Sequence, residues 1–222
     1  MANVRQYNEI MGSLPAGVSL VAISKNKTTD EILEVYAENQ RLFGENKVQE
    51  LVPKYEALPK DISWHFVGHL QSNKVKYIAP FIDLIHSVDS LKLMQTINKE
   101  AQKNNRIIPI LLQIYIADEQ TKFGLDYNEA LEILQSDILK TFTHIEIHGL
   151  MGMATFTDDL RKVREEFRGL SSFFRKVKKD FFFDSGKFNI LSMGMTDDYQ
   201  IAIEEGSNLV RIGSAVFGSR SY

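Results

Sequence analysis

The sequence predicts one α/β domain over residues 1–222, built as a (β/α)8 TIM barrel. Three observations carry this. Short apolar segments alternate with amphipathic ones, giving about eight strands with helices between them. The rival architecture, an open doubly wound sheet, expects G-x-G-x-x-G after its first strand, and none is present. No Pro/Gly/Ser-rich linker, charge block or short repeat divides the chain.

The elements follow in order. Val18–Ile23 is an apolar run suited to a strand covered on both faces. Thr28-Thr29-Asp30-Glu31 fits a capping box, so a helix is expected from about Asp30. Arg41–Gly44 is the second strand, and Asn46 to Leu58 is a helix with Val48, Leu51, Val52 and Tyr55 on one face. Trp64–Val67, Leu84–Val88, Ile107–Ile116 and His144–Met151 read as strands three to six, with helices at Ser90–Asn104 and Tyr127–Ser136. After Thr157, Leu160, Val163, Phe167, Leu170, Phe174 and Val177 recur at helical spacing. Ile190–Met193 and Leu209–Ile212 complete the strands. Between them Thr196-Asp197-Asp198 is expected to start a helix with a hydroxyl cap, and Gly206 to end it.

Composition narrows the function. A chain that is 44% hydrophobic and 25% charged can bury a sizeable core and stay soluble. A net charge of −3 gives no electrostatic reason to bind nucleic acid or an anionic membrane. With no cysteine, disulfides, thiolate metal sites and cysteine nucleophiles are excluded, which suits a reducing cytoplasm. The N-terminus has no apolar signal core, and no apolar stretch is long enough to span a bilayer.

In a barrel, functional groups sit where strands end. Lys25 ends strand one, and an amine there is suited to a Schiff base. The loops after strands seven and eight are the usual barrel phosphate site. Here they carry Ser192-Met193-Gly194 and Gly213-Ser214, with hydroxyls, small residues and backbone N–H groups. Strands one and eight meet on closure, so the amine lies beside that site. An amine with a phosphate cradle points to pyridoxal phosphate. A Schiff base needs a neutral amine, so the lysine pKa must fall. Lys27 either supplies a positive charge that lowers it or is itself the attacking amine; spacing does not choose. Arg211 either makes a surface ion pair or, in a cofactor pocket, faces the pyridine nitrogen, which it would keep unprotonated, weakening the ring as an electron sink. Asn46 either hydrogen-bonds the cofactor or caps a helix. His65 and His69 have metal-pair spacing, but Gly68 and the strand pattern argue against a helix there. His144 and His148 share a strand, with no evident carboxylate partner. Ser185-Gly186-Lys187 ends like a P-loop, but Phe181 occupies the required glycine position.

The chain resembles the pyridoxal 5′-phosphate homeostasis protein family, stand-alone relatives of the alanine racemase N-terminal barrel. The matching segments are Val21–Lys27, Phe43–Glu50, Trp64–Lys74, His148–Met151, Leu191–Asp198 and Arg211–Gly218, in order along nearly the whole chain. The resemblance implies an alanine racemase N-terminal-domain-like barrel holding the cofactor as an aldimine on Lys25. It also implies phosphate contacts from Ser192, Gly213 and Ser214, with Arg211 near the pyridine nitrogen; Asn46, His65 and Met193 complete the expected cofactor site. The chain departs from the family pattern at Thr28 and His69, where proline is common, and at Ser214, where threonine is.

Family members are thought to bind, buffer or deliver the cofactor. The expected partners are therefore pyridoxal phosphate and apo-forms of its enzymes. The racemase's C-terminal β domain, which supplies its dimer and second acid/base, is not expected, so a monomeric carrier is favoured over a racemase or related weak enzyme.

Overall fold

In the computed structural model, which describes residues 1–118 and 123–218, eight parallel strands close into a barrel in sequence order. The strands are β1 Ser19–Ile23, β2 Leu42–Glu45, β3 Ser63–Phe66, β4 Leu84–Val88, β5 Ile108–Tyr115, β6 Ile145–Met153, β7 Ile190–Ser192 and β8 Leu209–Ile212. The α-helices among the described residues are α1 Val4–Ser13, α2 Thr29–Ala37, α3 Val48–Ala57, α4 Val75–Ile78, α5 Leu91–Lys103, α6 Tyr127–Gln135, α7 Leu160–Phe181, α8 Tyr199–Glu204 and α9 Ser214–Phe217.

The predicted barrel is what forms, with strand ends moved by a residue or two. Four helices differ more. The one-turn helices α4 and α9 were not anticipated. Nor was helix α1: its sequence is mostly polar, and it buries only Tyr7 and Ile10 behind an Asn3 cap. Helix α8 begins at Tyr199, and Thr196 does not cap it. The Thr196 hydroxyl instead meets Ser214 Oγ at 3.1 Å, while Asp198 Oδ1 accepts from Met195 N–H at 2.5 Å. The capping box at Thr28 and Glu31 forms as expected.

Strand alternation sorts side chains into two cores. Leu20 and Ala22 face outward into the large layer between barrel and helices, while Val21 and Ile23 face inward. The inner cluster is small: Val21, Ile23, Leu84, Leu111, Met151 and Leu209. Gly44 makes room for it, since a Cβ there would lie 2.6 Å from Ile23 Cδ1 and 2.9 Å from Val21 Cγ1. Above this apolar plug the inward positions turn polar.

Register positions the site. Val21 pairs with Arg211 and Ala22 with Ile212 across β1/β8, and Ile23 pairs with Gly44 across β1/β2. Ser24 continues the ladder by donating its N–H to Gly44 O at 3.0 Å. Two residues further along this register, Lys25 and Asn46 fall side by side at the C-terminal mouth, on inward parity.

The outer side of this mouth is bolted by buried charge. Lys54 of α3 donates to Glu45 Oε1 at 2.7 Å and to Ser24 O at 2.8 Å, and the Ser24 hydroxyl donates to the same carboxylate oxygen at 2.6 Å. Glu45 is fully buried; burial pushes its carboxyl pKa upward against the pull of Lys54. Asn26, at φ 60°, donates its N–H to Glu50 Oε2 at 2.8 Å. The residues flanking Lys25 are thus held from α3. Replacing Lys54→Met leaves a buried carboxylate without its cation and should cost about 3–5 kcal/mol. Urea unfolding checks this, and a second change, Glu45→Gln, should recover a large part of the loss.

Candidate active site at the C-terminal mouth

Lys25 lies two residues beyond the end of β1 and is half-buried. Lys27 is committed elsewhere: its Nζ donates to Phe217 O at 2.8 Å and lies 3.4 Å from Glu31 Oε1. It ties the end of α9 to the start of α2. Of the two roles left open by spacing, attack is not offered by this geometry, since the Lys27 amine is held outside the mouth.

Asn46 does not cap α3. The cap position is Lys47, which makes no side-chain capping bond. Asn46 Oδ1 is buried and has no hydrogen-bond partner among the described residues. Gly68 packs against its backbone so closely that a Cβ there would lie 2.3 Å from Asn46 O. An orphaned buried acceptor beside Lys25 is costly unless a ligand donor meets it.

The loops after β7 and β8 form one cradle. Gly194 turns at φ 95°, where a Cβ would meet Ala202 Cβ at 2.6 Å, and its carbonyl accepts from Arg211 N–H at 3.0 Å. Gly213 lies against Ile23, with a Cβ position 3.2 Å from Ile23 O, so the cradle abuts the end of β1. Gly213 O accepts from Val216 and Phe217 N–H at 3.0 and 2.9 Å. The N–H groups ahead of that turn have no intrahelical acceptor. With the exposed Ser214 and Thr196 hydroxyls, they suit a phosphate.

Three expected contacts are placed differently. The Ser192 hydroxyl is fully buried inside the barrel, accepting from Arg211 Nη1 at 2.6 Å and 3.1 Å from His86 Nδ1. It is spent there, and the hydroxyls facing outward at the cradle are those of Ser214 and Thr196. Met193 lies in the outer core, and its backbone N–H and C=O both bond Ser207 Oγ. Its side chain therefore packs on helices, because β7 alternation points it away from the barrel axis. His65 sits deeper than the mouth: its Nδ1 is 3.0 Å from His86 Nε2, and its ring lines a cavity at the N-terminal end of the barrel. Its position offers a contact with His86 in place of one with the cofactor.

Arg211 is buried and points inward, with Nη2 donating to Gly152 O at 3.0 Å. Burial pulls its pKa down to about 10, with the Asp198 charge opposing, so it stays a cation at neutral pH. His86, in mid-β4, was not singled out from the sequence. An imidazole within the buried run Leu84-Ile85-His86-Ser87-Val88, on inward parity, was the available signal. His148 does have a carboxylate partner, Glu146 Oε2 at 3.2 Å, two residues back and so on the same face of β6.

Burial lowers the pKa of His65 from 6.5 to about 4 and that of His86 well below 6.5. Both are neutral when folded and bind protons more readily when unfolded. Their contribution is therefore present above pH 6.5 and lost as pH falls from 6.5 towards 4. The His65 share alone is about 3 kcal/mol. Denaturant midpoints measured across this range should fall with acidification, and His65→Gln should flatten the slope.

A family model described as the alanine racemase N-terminal domain matches residues 1–221. The pyridoxal phosphate homeostasis protein of Pasteurella multocida is 37% identical over 93% of this chain and 88% of its own. The human protein of the same name is also 37% identical, over 91% of this chain and 77% of its own. PipY of Synechococcus elongatus, solved with PLP bound, superposes with a TM-score of 0.86 at 32% identity, covering 96% of this chain and 99% of PipY. Alanine racemase of Clostridium difficile shares the fold, with a TM-score of 0.74 at 15% identity over 99% of this chain and 56% of the racemase. The chain belongs to the alanine racemase N-terminal-domain family, among the pyridoxal phosphate homeostasis proteins.

Proposed function

We propose that this chain binds pyridoxal phosphate at the C-terminal mouth of its barrel and serves in homeostasis of that cofactor, with Lys25 Nζ as the amine that holds it. The carrying observation is convergence. The β8/β1/β2 register brings the Gly213–Ser214 cradle, Lys25 and the orphaned Asn46 Oδ1 to one rim, with Arg211 buried beneath it. When bound, the group supplies an aldehyde that condenses with a neutral amine, releasing one water.

The chain's own residues divide the remaining work. The N–H groups ahead of the Gly213 turn, with Ser214 and Thr196, hold the phosphate. Arg211 presents a fixed positive charge that keeps a facing ring nitrogen unprotonated, which restrains carbanion chemistry and favours holding over turnover. Lys27 braces the cradle from outside through Phe217 O. The same chain acts as a monomer in the cytoplasm and passes cofactor to apo-enzymes.

Adding pyridoxal phosphate to the purified protein should produce a visible Schiff-base absorbance band. The band should vanish in Lys25→Ala and persist in Lys27→Ala. A band lost only in Lys27→Ala would move the site, and no band in the wild type would remove the reading. Loaded protein should also reactivate an apo-enzyme faster than free cofactor released at the measured off-rate allows.

A further inference from the structure

We propose that His86 and His65 are positioning residues for Arg211, anchoring its guanidinium through Ser192 by a one-way chain of hydrogen bonds across the barrel interior. The inference rests on the cofactor reading above and deepens it by naming what orients the Arg211 cation.

The direction of the chain follows from its first member. A guanidinium only donates. Arg211 Nη1 donates to Ser192 Oγ at 2.6 Å, and the only other partner of that buried hydroxyl among the described residues is His86 Nδ1 at 3.1 Å, so its proton is satisfied only when donated there. His86 Nδ1 must then be an acceptor, which puts the ring proton on Nε2. That nitrogen lies 3.0 Å from His65 Nδ1, which must accept in turn. The His65 proton therefore sits on Nε2, and His65 also lines the N-terminal cavity of about 500 Å³ with Ser63, Asp83, His148 and Asn208. Water in such a polar cavity can accept the last proton.

The chain runs past the apolar cluster of the barrel interior, Val21, Ile23, Leu84, Leu111 and Met151. Apolar filling would satisfy packing there, so two buried imidazoles need another reason. Arg211 supplies it. Its partners are a hydroxyl and the Gly152 carbonyl, and among the described residues it forms no ion pair. A carboxylate would orient the guanidinium but neutralise it. A chain of neutral dipoles orients it and leaves its charge directed at the mouth. Burial keeps both rings neutral, as this direction requires.

Two experiments test this. In ligand-free protein, ¹⁵N NMR should show both histidines as the Nε2–H tautomer. His86 protonated on Nδ1 would reverse the chain and overturn the proposal. In loaded protein, His86→Leu should shift the visible band and speed cofactor release about tenfold. His86→Gln, whose amide can both accept and donate, should restore most of the wild-type behaviour. In an Arg211→Met background, His86→Leu should change release less than about twofold, because its effect runs through the arginine. Equal effects in both backgrounds would reduce His86 to a packing role and overturn the proposal. A wild type that binds while His86→Leu is unchanged removes this inference alone. A wild type that does not bind removes the cofactor reading, and this inference with it.

Discussion

Closure of the sheet, β1 against β8, is the constraint on which the rest depends. Each strand has a two-residue repeat, so a slip of one residue would turn every inward side chain outward. The register Val21↔Arg211 puts the arginine inside and leaves Gly213 against Ile23. The register Ile23↔Gly44 then brings Asn46 beside Lys25. These residues come from the two ends of the chain, and closure alone makes them neighbours.

Two buried polar devices maintain this arrangement on opposite faces of the barrel wall. Outside, Lys54, Glu45 and Ser24 fasten the backbone just before Lys25. Inside, Arg211, Ser192, His86 and His65 form a continuous chain beneath the mouth. Both sacrifice cheap apolar packing for fixed geometry. The acid sensitivity of the inner device follows from the same burial, since neither imidazole can take a proton without losing its place in the chain.

Much of this was legible in the sequence. The strand-helix alternation specified the barrel, and strand-end positions singled out Lys25, Arg211, Gly213 and Ser214. What stayed hidden was which neighbour each side chain meets. Ser192 reads as a phosphate ligand because it lies in a small-residue loop, yet parity turns its hydroxyl inward to Arg211. Met193, next to it, is turned outward for the same reason. Lys54 sits on the helix face carrying Val48 and Leu51, where a lysine reads as a solvated stem. Only the packing of α3 on β2 shows that it meets a buried Glu45. Asn46 was left between cap and ligand, and the uncapped start of α3 decides against the cap.

The central claim is that Lys25 is the amine that holds the cofactor. Reducing the loaded protein with borohydride fixes the linkage irreversibly, and peptide mass spectrometry then locates it. The account predicts a pyridoxyl phosphate adduct on the peptide containing Lys25, with Lys27 unmodified. An adduct on Lys27, or on a lysine away from the C-terminal mouth, would contradict it.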